Sequence, residues 1–253
     1  MGRLGEYARA LAELDDPELY LLEHSGLPGP RGNIELGLAA AQVCEPAQLR
    51  RWAALDARAA PTGGAEEFLA FCGVVGLGRL LGEGDASVHA ELRAHANDPR
   101  WRIREAVAMA LQHWGAGDFG ALAGAMAGWA RGSWLERRAA VAGLCEPVLL
   151  TDRPRVQTVL EVLATATAGV TAADRDERRS DEFKALRKGL GYCWSVAVAA
   201  APEIGRPAFE TLAERALQSG DRDLRWIVRE NLRKRRLERV DAAWVTRWRS
   251  RLD

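Results

Sequence analysis

Between short breaks of Gly, Pro and Asp, apolar residues in this chain recur three and four positions apart, which is the spacing of one face of an α-helix. In the stretch opening at Trp101, the residues Ile103, Val107, Ala110 and Leu111 form such a stripe. The alternating pattern of a half-buried strand is scarce. Ala106, Ala108, Ala139, Ala140, Ala142 and Gly143 are small enough to let neighbouring helices approach closely. The run Gly73-Val-Val-Gly-Leu-Gly78 lies inside another helix-like stretch, so its glycines read as close helix contacts and not as a phosphate loop. The pattern predicts an all-α chain.

The helical stretches repeat. Arg100-Trp-Arg-Ile-Arg-Glu-Ala-Val-Ala-Met-Ala-Leu111 lies over Ser133-Trp-Leu-Glu-Arg-Arg-Ala-Ala-Val-Ala-Gly-Leu144 without a gap. Trp101 thereby meets Trp134, and Arg104 meets Arg137. The same step taken back from Trp101 places Phe68 in the tryptophan register. Phe183-Lys-Ala-Leu-Arg187 and Arg225-Trp-Ile-Val-Arg229 repeat the pattern at longer intervals. Arg31-Gly-Asn-Ile-Glu35 with Val43-Cys-Glu-Pro46 echoes Arg131-Gly-Ser-Trp-Leu-Glu136 with Leu144-Cys-Glu-Pro147. A period in the thirties, built from helix-length units, marks stacked helical hairpins, each needing its neighbour to bury its apolar stripe.

In three units an aspartate stands six residues ahead of an arginine that follows an aliphatic residue: Asp98 with Ile103-Arg104, Asp181 with Leu186-Arg187, and Asp223 with Val228-Arg229. In this the units resemble HEAT repeats. The resemblance implies a right-handed α-solenoid of about six hairpins, a single domain over 1–253. It also implies that Asp98, Arg104, Asp181, Arg187, Asp223 and Arg229 pair into a ladder between successive units. The unit at Trp134 departs from the pattern, with Arg131 where the aspartate would stand. Asp98 and Asp223 are also expected to cap their helices, since each lies just ahead of a periodic stretch. The stretch near 165–181, rich in Thr, Asp and Arg, reads as an irregular charged loop, and 222–253 as a basic capping hairpin.

Composition narrows the partners. The 253 residues include 35 cationic and 35 acidic side chains, so uniform basicity, the footprint of a general nucleic-acid binder, is lacking. Local excess exists: Arg222 to Arg251 holds eleven cations against four carboxylates, interleaved with Trp226, Trp244 and Trp248. Arg233 and Arg236 in this stretch are candidates for nucleic-acid contact, and a solvated face on a terminal hairpin is the competing reading. Cys44, Cys72, Cys145 and Cys193 are far apart with no His at ligand spacing, which predicts four buried thiols and no metal site. His24, His89, His95 and His113 form no catalytic pattern. No apolar stretch reaches the length of about 20 residues that a bilayer requires, so no membrane span is expected. The chain reads as cytoplasmic and free of cofactors.

A second resemblance concerns chemistry. The chain is similar to the bacterial alkylpurine DNA glycosylases, which are also built from HEAT-like repeats. That likeness implies Trp101 and Tyr192 (or Trp194) as aromatics holding a damaged nucleotide, Glu105 as the carboxylate facing the sugar, and Arg137 as a phosphate grip. The family's carboxylate is Asp, and Glu105 is one methylene longer. Two functions therefore stay open: a non-enzymatic scaffold that binds a protein or nucleic acid, and a duplex-DNA repair enzyme.

Overall fold

A computed structural model describes residues 2–252, and among these every regular element is helical. The chain divides into two compact units, Met1–Gly117 and Asp118–Asp253. In the first unit run α1 (Arg3–Ala12), α2 (Glu18–His24), α3 (Ile34–Val43), α4 (Pro46–Ala53), α5 (Glu66–Gly82), α6 (Val88–His95) and α7 (Trp101–Gly117). In the second run α8 (Phe119–Trp129), α9 (Trp134–Leu144), α10 (Arg153–Ala172), α11 (Asp181–Ala200), α12 (Pro202–Ser219), α13 (Arg222–Leu232) and α14 (Arg235–Leu252). Short 3-10 turns occupy Pro147–Leu149 and Glu177–Arg179.

Within the first unit, alternate helices lie side by side: α1 on α3, α3 on α5, and α5 on α7. The central helix α5 also meets α4 and α6, and it is apolar on every side because it is covered on every side. Its glycines are contact points. A Cβ on Gly73 would stand 2.3 Å from the backbone nitrogen of Ala53 in α4, and one on Gly78 would stand 2.3 Å from the carbonyl oxygen of Ala110 in α7. Within the second unit the same alternation appears, with α9, α11 and α13 in one row and α8, α10 and α12 in contact as another.

Helix starts are fixed by side-chain caps. Asn33, Asp118, Ser133 and Asp152 each accept a hydrogen bond from the backbone N–H three residues on. The two aspartates expected as caps act differently. The cap of α13 is Asp221, which accepts from the N–H groups of Asp223 and Leu224. Asp223 lies inside the first turn, where its buried carboxylate serves arginines instead. Ahead of α7, Asp98 accepts from the N–H of Arg100 at 2.7 Å and takes the Arg100 guanidinium through both oxygens.

The irregular stretch is also shorter than expected. Helix α10 continues to Ala172, so residues 165–172 are helical. Leu160, Leu163, Ala166, Thr167 and Val170 form a buried stripe, and the hydroxyl of Thr167 donates back to the Leu163 carbonyl at 2.6 Å. Threonine and glycine here disguise a buried helix. All four cysteines are buried free thiols. Among the described residues no helix is long and apolar enough to cross a membrane, and no cluster of metal-binding side chains is present.

Candidate functional site

The site begins at the start of α7 in the first unit. Trp101 is the first residue of that helix, and Glu105 follows one turn later, on the same face. Both line a cavity of about 310 Å³ whose walls are Phe68 and Phe71 of α5, Ile34 of α3 and Met109 of α7. The two phenylalanine rings are nearly parallel, with centroids 6.0 Å apart. Trp101 is 48% exposed and Ile34 53% exposed. Such large apolar groups at a cavity mouth have surface to bury against a ligand.

A buried ion pair sets the tryptophan in place. Glu67, directly before Phe68, is fully buried and accepts from Arg102 at 2.9 Å and from the N–H of Gly63 at 2.8 Å. Arg102 also donates to the Gly29 carbonyl at 3.0 Å, and its guanidinium lies 4.5 Å from the centroid of the Trp101 ring. The carboxylate therefore holds the guanidinium, and the guanidinium braces the indole. One Glu67 oxygen, Oε1, and Arg102 Nε are buried with no hydrogen-bond partner, so the pair is incompletely satisfied. A second buried arginine, Arg100, steadies the approach to α7 by donating to the carbonyls of Leu55, Asp56 and Ala60.

Neither Glu67 nor Arg102 stands out in the pattern of apolar positions. A signal for them exists: Phe68 and Trp101 share one register of the repeat, and these two residues are their immediate chain neighbours. A buried Glu is rare enough that its charge alone argues for the surface.

The remaining candidates belong to the second unit. Arg137 is half-buried and engages carbonyls of its own preceding turn. It donates to the carbonyls of Gly132 at 2.9 Å and Arg131 at 3.4 Å and stacks on Trp134. It also fills the space beside Gly169 of α10, where a Cβ would collide with it at 1.6 Å. Burial lowers its pKa, although Glu177 nearby favours the charged form. Trp194 is 2% exposed and donates to Thr167 at 3.1 Å, so it packs the interior of the unit. Tyr192 is 45% exposed, and Arg236 both donates to its hydroxyl at 2.6 Å and covers its ring. Arg233 is exposed and pairs with Glu230.

The six residues expected to form a ladder take several roles. Arg187 reaches from α11 to Asp223 of α13 at 2.7 Å, as a rung between neighbouring hairpins would. Arg104 turns back onto the carbonyls of Asp98 and Pro99, at 2.6 and 2.8 Å. Arg137 does the same one repeat later. Arg229 donates to the Leu252 carbonyl, and Asp181, the first residue of α11, holds Lys184 at 3.0 Å. Of the interleaved tryptophans, Trp244 and Trp248 are buried, and Trp226 lies beneath Arg187.

The chain matches no protein-family model, no curated protein and no solved structure.

Proposed function

We propose that this chain is a non-enzymatic binding protein, an α-solenoid of HEAT-like hairpins, which holds a protein partner by an apolar anchor side chain. The observation that carries the reading is the cavity beside Trp101. Its walls are aromatic and aliphatic, its volume suits one large side chain, and Glu105 with Arg31 supplies a polar edge. The solenoid reading is supported by alternate helices packing in rows within each unit, and by Arg104 and Arg137 making the same turn-back contact one repeat apart. Trp101→Ala and Ile34→Asp should each weaken capture of a co-purifying polypeptide by about tenfold or more, the loss of one anchor contact. Equal recovery by wild type and both variants would remove the cavity from the binding surface.

A second reading, excision of alkylated purines from duplex DNA, is favoured by Trp101 and Glu105 sharing one cavity. A carboxylate beside an aromatic wall suits positive charge developing on a sugar as its base departs. The commitments of Arg137 and Trp194 weigh against it. Release of N7-methylguanine by wild type and its loss in Glu105→Gln would establish this reading. Absence of release by wild type would eliminate it.

A further inference from the structure

We infer that the second unit carries a binding site for a phosphate group, in the open cavity of about 390 Å³ between the start of α11 and the start of α13. This inference is independent of the Trp101 cavity and rests on a surplus of cations over what the fold uses there.

The fold itself uses Arg178. Its Nε donates to the Ala173 carbonyl, Nη2 to the Val170 carbonyl and to Asp221, and Nη1 to Asp223 at 2.7 Å. Each of its nitrogens is thus engaged, and the segment 173–180 is thereby tied to the first turn of α13. Asp223, only 2% exposed, also receives Arg187. Two arginines thus neutralise two carboxylates, and that part of the network is closed.

Three further cations line the same cavity: Arg179, Lys184 and Arg222. Arg222 has a side chain 78% exposed and approaches Asp223 only to 3.8 Å. Arg179 and Lys184 face Asp176 and Asp181, whose side chains are 91% and 94% exposed. Ion pairs so open to water contribute little, so an incoming dianion can replace them. Arg187 spends Nη1 on Asp223, while its Nε is buried with no hydrogen-bond partner. Trp226 also lines the cavity, its ring centroid 4.5 Å from the Arg187 guanidinium. Guanidinium groups converging from three elements match the oxygens of a phosphate, whether carried by a small molecule or by a nucleic-acid backbone.

The test uses the full chain labelled with nitrogen-15, following the indole N–H of Trp226, which is assigned by its loss in Trp226→Phe. Inorganic phosphate should shift that signal. The triple variant Arg179→Ala/Lys184→Ala/Arg222→Ala should bind about tenfold more weakly or worse, while the charge-matched control Arg9→Ala/Arg58→Ala/Arg153→Ala should bind as wild type does. A short duplex oligonucleotide that displaces phosphate would assign the group to a nucleic-acid backbone, and its binding should fall steeply with salt. A mononucleotide that competes where the duplex does not would assign a small phosphorylated ligand. No phosphate shift in wild type, or equal weakening in the triple variant and its control, would overturn the site.

Discussion

Trp101 owes its position to two charged residues that apolar patterning could not have nominated. Glu67 and Arg102 lie in the interior of the first unit and brace the indole from behind. Removing one member of a buried pair strands the other, which costs about 3–5 kcal/mol, whereas replacing both with apolar groups can be close to neutral. Glu67→Gln should therefore lower stability by about that amount in urea unfolding, and Glu67→Leu/Arg102→Met should recover much of it. A single-variant cost below about 1 kcal/mol would mean that water reaches the pair and that it does not set Trp101. Phe68 and Trp101, which share one register of the repeat, line the cavity together. The register could not separate an arginine that binds an aspartate from one that binds carbonyls. Arg187 and Arg137 occupy the same register, yet one reaches Asp223 and the other turns back onto the Gly132 carbonyl.

Among the elements, α5 and α10 show why some helices were legible and others were not. The glycines of α5 read correctly as contacts because a helix can carry Gly73, Gly76 and Gly78 cheaply only if something approaches them. Gly78→Ala should destabilise the protein by about 1–3 kcal/mol, since its new methyl meets the backbone of α7 and no flexible side chain. A thermal midpoint unchanged by this substitution would show that α5 and α7 can separate without cost. In α10 the threonines at 165, 167 and 171 obscured the helix, because their tendency to compete for backbone groups resembles a loop until their back-bonding is seen. The start of α13 carries a pH-dependent tie. Burial opposes ionisation of Asp221, but hydrogen bonds from Arg178 and from the Leu224 N–H hold its carboxyl below the usual aspartate range. A folded-state pKa below the unfolded value of about 3.9 gives stability that is present above that pH and disappears as pH falls through the folded value. Asp221→Asn keeps the cap and removes the charge, so it should cost about 1–3 kcal/mol near neutral pH. The difference from wild type should close below about pH 4 in acid-unfolding measurements, and a constant difference across that range would exclude the ion pair as its source.

For the whole molecule, the chain divides at Gly117 into two compact units. Each unit has its own central helix: α5 packs against α3, α4, α6 and α7 in the first, and α11 against α9, α10, α12 and α13 in the second. Alternating short-range contacts of this kind let stability accumulate from neighbour to neighbour, so a run of several helices can hold without the rest of an array. The second unit, Asp118–Asp253, is more than half of the chain and long enough to bury a core of its own. Its buried set includes Phe183, Leu186, Trp194, Phe209, Ile227 and Trp244, drawn from four different helices. A fragment of residues 118–253 should therefore give a helical circular-dichroism spectrum and unfold in one cooperative transition. It should also keep the phosphate response of Trp226, because every group lining that cavity lies within it. A fragment that is helical but melts without cooperativity would mean that the tertiary packing of α9, α11 and α13 depends on residues before 118. In that event the repeat register running through Phe68, Trp101 and Trp134 would describe one folding unit and not two.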